Sequence, residues 1–403
     1  MRDSVRLKRL LSESDVRAGA ESETLPLLSV SISWGVRRRD SAGTTTRAAA
    51  EDLSNYKICR SGDLVINRMR AFQGALGIAP EDGIVSPDYA VLEVNPKINS
   101  RWLNYFLTSR STVATMSSLV RGIGGTDAGN VRTPRLNMAD LLSTTAPLVS
   151  AEEQRVIADY LDRETARIDT LIEEQRRLID LFRERRQAII DEALSGLDGP
   201  RVQLRRHIRF LTSGSRGWGD YYADEGERFV RIGNLPRANL DLRGEVQFVD
   251  IPAGVTEGSR TMLQAGDLLF SITAYLGSVA VVRGSWVGAY VSQHVALCRL
   301  VSEHMDSRFI GWFMLTTEGQ DQLNEGAAGG TKMQLALDDI RELRVPLVTI
   351  GQQQSIAAFL DEQTAKIDTL IEESEQFIEL ARERRVALIT AAVTGQIDVR
   401  KSA

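Results

Sequence analysis

One sentence of this chain is written twice. "TARIDTLIEE" occupies 165–174 and "TAKIDTLIEE" occupies 364–373. The match extends without a gap over 147–196 and 346–395, with about half of the positions identical. A repeat distance near 200 residues is far too long for a solenoid and means two copies of a whole module. Each copy reads as one long helix. Pro147 and Pro346 precede it, Ser150 and Thr349 suit the N-cap, and Glu153 three residues on completes a capping-box pattern in the first copy. Gly196 and Gly395 suit the C-terminal stop.

Apolar residues recur at spacings of three and four. They are Leu161, Ile168, Leu171, Ile172, Leu178, Ile179, Phe182, Ile189 and Ile190 in the first copy. The second repeats the stripe with Leu360, Ile367, Leu370, Ile371, Phe377, Ile378, Ala381, Leu388 and Ile389. The period is helical with partial heptad character. About 40 residues at ~1.5 Å each make a rod of roughly 60 Å. A rod with one apolar face needs a partner, and its twin is the obvious one. A pseudo-twofold relation would run the two antiparallel; the alternative is that each folds back on its own neighbouring block. The run "RERR" at 183–186 and 382–385 lies between acidic residues, which suits a solvated face or a protein contact better than DNA.

Two long blocks flank these helices and share punctuation rather than sequence. Both open on a basic amphipathic stretch, "VRLKRLL" and "VQLRRHI". Both carry Gly-Asp-Leu before a strand, "SGDLVINRM" at 61–69 and "AGDLLFSIT" at 265–273. A second strand follows, in "VSPDYAVLEV" or "VSQHVALCRL", then a short amphipathic helix, "RWLNYFLTS" or "RFIGWFMLT". Glycine-rich loops, "RGIGGTDAGN" and "EGAAGGTKMQL", lead to the Pro-Leu-Val of the rod; neither has the form of a phosphate loop. The expected fold is α+β. Two mixed α/β domains, 1–146 and 201–345, are separated by two long antiparallel coiled-coil helices, 147–200 and 346–403, in a pseudo-twofold internal repeat.

The net charge of −5 argues at first against nucleic acid, but the acidity is localised. The helical segments carry −5 (147–200) and −3 (346–403), whereas the blocks carry +4 (1–146) and −1 (201–345). Local basic surfaces remain open to the blocks. No run of about 18 apolar residues marks a membrane span, and the N-terminus lacks a signal-peptide core, so a cytoplasmic location is expected. Cys59 and Cys298 are the only cysteines and lie in strand-like segments, which suits two reduced core thiols.

No catalytic constellation is found. His207, His294 and His304 have no partner at metal-ligand spacing, and no nucleophile elbow, phosphate loop or methyltransferase tetrapeptide occurs. No catalytic residue, metal or cofactor is therefore assigned, and a binding or assembly role is the default. A coiled-coil scaffold that does not read DNA, and a nuclease or methyltransferase with an unfamiliar site, stay as alternatives.

Two unlike blocks, each followed by a near-identical helix carrying "TA-(R/K)-IDTLIEE…RERR…A", resemble the DNA-specificity subunit of type I restriction–modification systems. The resemblance covers the whole chain. It implies that the blocks are target-recognition domains, each reading half of a split, asymmetric duplex DNA site. It implies that the paired helices act as a ruler and dock two methyltransferase subunits. Those would bring S-adenosylmethionine, and restriction subunits would bring ATP-driven translocation and cleavage.

The loops that differ most between blocks, 33–47 and 212–237, mix Arg with Trp, Tyr, Asn and Ser, the types that reach base edges and phosphates. Candidate DNA contacts are Arg37, Arg38, Asn67, Arg68 and Arg70 in the first block. In the second they are Arg216, Trp218, Tyr221, Thr273, Tyr275, Gln293 and Lys332.

Overall fold

The computed structural model describes residues 3–39, 52–120, 135–197, 199–214, 216–252, 258–327 and 334–401. The repeated segments form two 45-residue helices, Ala151–Ser195 and Ile350–Thr394. The expected caps are present. The Glu153 amide donates to Ser150 Oγ at 3.2 Å. In the second copy the box is reciprocal: the Gln352 amide donates to Thr349 Oγ1 at 3.4 Å, and the Thr349 amide to Gln352 Oε1 at 3.1 Å. Gly395 stops the second helix at φ 74°, a left-handed conformation that costs glycine nothing.

Two compact units result, and their boundaries cut through both helices. Unit 1 comprises 1–175 with 376–403; unit 2 comprises 176–375. Unit 1 owns the first block, the adjoining half of the first long helix and the far half of the second, whereas unit 2 owns the second block and the half of each helix that adjoins it in sequence. In unit 1, Ile157, Ala158 and Leu161 share a core with Ile389, Ala392 and Val393. In unit 2, Ile190 and Leu194 share one with Ala357 and Leu360. The helices run antiparallel within a unit. In unit 2, Arg186 pairs with Asp368 at 3.2 Å and Arg183 with Glu375 at 3.8 Å, numbers rising on one helix as they fall on the other.

The seam is narrower than the apolar stripe suggests. Leu161, Ile168, Ile172, Ile179, Leu360, Ile367, Ile378 and Ile389 are buried, and Leu178, Phe182, Ile189, Ile371 and Leu388 are half-buried. Leu171, Leu370 and Phe377, expected in the seam, are instead exposed (38%, 41% and 42%). A strict seven-residue seam admits only two positions per heptad, and these three fall beside it.

Both blocks are built on the same four-stranded antiparallel sheet. In unit 1 the order is Leu11–Ser14, Tyr89–Val94, Leu64–Asn67, Leu76–Ile78; in unit 2 it is Ile208–Ser213, Val295–Leu300, Leu268–Ser271, Val279–Val281. Period-two alternation divides the faces. Leu64, Ile66, Ala90 and Leu92 join the core shared with the long helices, while Val65 and Val91 face a second core with Leu28, Val30, Val36 and Cys59. Unit 2 repeats this with Leu268, Phe270, Ala296 and Cys298 inward, and Leu269, Val295 and Leu297 on the other face. Each block also begins and ends on one strand pair, Ser4–Arg6 against Thr145–Pro147 and Arg201–Gln203 against Arg344–Pro346.

The outer decoration is where the blocks diverge. Unit 1 adds a hairpin, Leu28–Ser31 with Gly35–Arg38, and the pair Lys57–Cys59 with Gly83–Val85. Unit 2 adds a second four-stranded sheet, Tyr222–Ala223, Gln247–Val249, Glu227–Val230 and Tyr290–Val291, the last strand parallel.

Candidate nucleic-acid interface

Each block rests on the long helices, and the repeat supplies matching seats. The helix Ser100–Thr108 of unit 1 is capped by Asn99, whose own amide donates to Gln154 Oε1 at 2.8 Å. The helix Ser307–Met314 of unit 2 is capped by Asp306, whose amide donates to Gln353 Oε1 at 2.8 Å. Gln154 and Gln353 hold the same place in the repeat and are both buried. Two turns further along, Asp162 accepts from the Tyr105 hydroxyl at 2.7 Å and pairs with Arg101. Its counterpart Asp361 binds Arg308 through two bonds, 2.6 and 2.5 Å, and accepts from Trp312 Nε1 at 2.7 Å. A carboxylate holding a planar guanidinium by two bonds fixes orientation as well as distance. Both domains thus dock by one chemical scheme.

Just past the end of the third strand of each sheet the backbone frame is again shared. The Leu136 amide donates to the Arg68 carbonyl at 2.9 Å, and the Leu335 amide to the Ile272 carbonyl at 3.0 Å. The side chains around this frame differ. In unit 1, Arg68, half-buried, donates from Nε to the Leu136 carbonyl at 3.2 Å; Arg70 is exposed; Asp88 pairs with Arg135. In unit 2, Thr273 Oγ1 lies 3.1 Å from His294 Nδ1, Gln293 is half-buried beside it in sequence, and exposed Tyr275 carries the Arg237 guanidinium 5.5 Å from its ring centroid.

The structure brings Arg68 and Arg70 together at one hairpin end, and Thr273, Tyr275 and Gln293 around the other. Other candidates are engaged elsewhere. Asn67 is buried, and its Oδ1 accepts from the Met69 amide at 3.1 Å. Arg37 is exposed on the outer hairpin, stacked 4.1 Å from the Trp34 ring centroid. Arg38 is held by Glu81, Nε to Oε1 at 2.6 Å, which raises its already high pKa. Trp218 is 3% exposed, packed on Phe229, Tyr221 and Tyr290 with ring centroids 5.6, 6.2 and 5.2 Å away. Its ring is a core anchor of the second sheet; tryptophan in a Gly-rich stretch reads as loop surface until that sheet is seen. Tyr221 is half-buried in the same cluster and Arg216 is exposed. Lys332 lies outside the described residues, as do the glycine-rich segments around it and at 121–130.

Sequence reasoning missed Asp88, Arg135, His294 and Arg237. The signal was present for one pair. "VSPDYAVLEV" and "VSQHVALCRL" align, and Asp88 and His294 fall at the same place with different chemistry.

Among the described residues no group of three or more His, Cys, Asp or Glu is placed to hold a metal ion, and no helix is long and apolar enough to cross a membrane. Both cysteines are buried and free, and burial pushes each thiol up to about 12, with Asp63 and Asp267 adding to it.

Comparison with known proteins agrees with this two-part build. The family described as type I restriction modification DNA specificity domain matches twice, over 22–179 and 239–380. A solved chain from work on complex assembly and conformational transition of the type I R-M system is 16% identical, with 97% of each chain covered and a TM-score of 0.74. The HsdS subunit from Thermoanaerobacter tengcongensis is also 16% identical, with 98% of this chain and 97% of that one covered and a TM-score of 0.56. At that identity the likeness is one of fold. No curated protein matches the sequence. The two family matches together take in most of the chain, one in each block and running into each long helix, and the chain belongs to the type I restriction–modification DNA specificity family.

Proposed function

We propose that this chain is the non-catalytic subunit that reads the DNA target for a type I complex. Each block reads one half of a split duplex site, unit 1 around Arg68 and Arg70, unit 2 around Thr273, Tyr275 and Gln293. The long helices dock two methyltransferase subunits, and restriction subunits join through them where the system has them. The observation that supports this reading most is the shared seat beneath unlike surfaces. Gln154 and Asp162 do for unit 1 what Gln353 and Asp361 do for unit 2, while the exposed chemistry of the two sheets is different. A carrier that presents two different reading faces in one way fits an asymmetric bipartite target. A scaffold without a reading function has no need of faces that differ.

The test is genome-wide adenine-methylation mapping with and without this chain, its modification subunits co-expressed. A split motif that appears only with the chain supports the proposal. Methylation or cleavage by the purified chain alone would overturn the non-catalytic role. Duplex binding by the assembled complex that lacks sequence preference would overturn the reading role.

A further inference from the structure

Tyr275 is the one non-glycine residue with a positive φ, 56°, among the described residues. A bulky side chain in the left-handed region is a true outlier and costs free energy. The ring gains no burial in return, being 59% exposed. Strain of this kind persists only where neighbours over-determine it, and here they do. The Ser278 amide donates to the Tyr275 carbonyl at 3.2 Å, and the Ser271 hydroxyl binds the Ala274 carbonyl. Gln320 Nε2 holds the Gly277 carbonyl at 2.9 Å, and Leu276 is tucked against the main core of unit 2. Four tethers on five residues fix the backbone, and Tyr275 is the side chain they push outward.

The corresponding turn of unit 1 is built differently. Gly74 and Gly277 are both left-handed, at φ 90° and 85°, and an aromatic stands two residues before each, Phe72 and Tyr275. In unit 1 the turn holds one more residue after the strand, adopts a short 3-10 helix Ala71–Gln73, and leaves Phe72 half-buried without strain. Only unit 2 presents its aromatic to solvent, with the exposed Arg237 guanidinium over the ring face.

We propose that Tyr275 is the stacking residue of unit 2: its ring packs against a base or a base step of the half-site, and Arg237 supplies the adjoining cation. This rests on the DNA-reading role proposed above and adds an assignment to it. A flat apolar face suits any base, so the ring contributes affinity and distortion of the duplex, while Thr273, Gln293 and His294 beside it have the donors and acceptors that read edges.

The experiment uses the complex of this chain with its modification subunits and duplexes carrying the motif found by methylation mapping. Tyr275→Gly removes the ring and also relieves the strain, so the melting temperature should hold or rise. Binding to the mapped duplex should fall roughly tenfold or more, the order expected for one lost base stack. Tyr275→Phe should stay within about threefold of the parent. 2-Aminopurine placed in the half-site read by unit 2 should change its fluorescence on binding of the parent and the Phe variant only. A Gly variant that binds and methylates like the parent would overturn the proposal while leaving the wider reading intact. So would a Phe variant as weak as Gly, which would assign the hydroxyl instead. Failure of the Gly variant to assemble with the modification subunits would assign the ring to a protein contact. Absence of any split motif with the parent chain would remove the DNA-reading role itself.

Discussion

Arg186 of the first long helix reaches Asp368 of the second at 3.2 Å, and the guanidinium is buried at a heptad position that would ordinarily hold a leucine. The repeat generates the reciprocal contact, Arg385 to Asp169 at 3.0 Å. Burial pulls the Arg186 pKa down, and Asp368 opposes that. Neither Arg Nε lies in line for a hydrogen bond, so both contacts are ion pairs, and charge matched to charge inside an apolar seam is expected to favour one register.

Asp368→Ala strands a buried cation and should cost about 2–3 kcal/mol. Asp169→Ala, where Arg385 keeps 37% of its side chain exposed, should cost less, about 1 kcal/mol. Thermal or urea melts of the two variants measure the difference. The charge-swapped double variant, R186D with D368R, should recover part of the loss; equal melts for all three would show that the pair does not pin the helices.

The seats should be unequal as well. Asp361→Ala leaves Trp312 Nε1 without its acceptor and Arg308, largely buried, with only the 3.2 Å contact to Asp241, a loss of about 2–3 kcal/mol. Asp162→Ala acts on the half-exposed Arg101 and on one tyrosine hydrogen bond, about 1 kcal/mol. Hydrogen exchange should show protection lost first in Ser307–Met314 for the former and in Ser100–Thr108 for the latter.

Lengthening both long helices by four residues adds about 6 Å along the axis, nearly two base pairs at ~3.4 Å each. The methylation motif should keep both half-sites and gain about two unspecified positions. Altered half-sites with an unchanged gap would contradict a ruler role for the helices.

Burial holds both thiols near 12, so the thiolate is scarce at pH 8. Native protein treated with iodoacetamide should gain no mass over minutes, and protein unfolded in guanidinium should gain two labels. One label on the native protein would mean that one of the two cores opens readily.

Arg68→Ala should weaken recognition by unit 1 and spare the half-site read by unit 2, because the two frames share no residue. The Nε bond to Leu136 makes a modest fall in stability part of the expected result, about 1 kcal/mol. Methylation profiles that lose both halves together would argue against independent reading.

Much of the architecture was legible in the sequence because it was written twice. The caps at Ser150 and Thr349, the stop at Gly395 and the matching strands after each Gly-Asp-Leu all follow from local chemistry that one chain shows alone. The reason for the repeated words was not legible. "RERR" reads as a solvated stretch and "IDTL" as part of the apolar stripe, and only folding shows that Asp169 answers Arg385 and Asp368 answers Arg186. The reading face was harder still. Arg38, Asn67 and Trp218 have the right side chains, yet an ion pair, a turn and an aromatic core claim them. His294 and Arg237 gain meaning only from neighbours far away in sequence.

Each block enters and leaves its seat through one strand pair, Ser4–Arg6 against Thr145–Pro147 or Arg201–Gln203 against Arg344–Pro346. A single doorway makes a block a cassette. On the reading proposed above, exchange at those two seams would install a new half-site while leaving the glutamine, aspartate and ion-pair fittings of the long helices untouched. Two libraries of such cassettes would multiply rather than add, so a small pool of inherited parts suffices for a large vocabulary of targets.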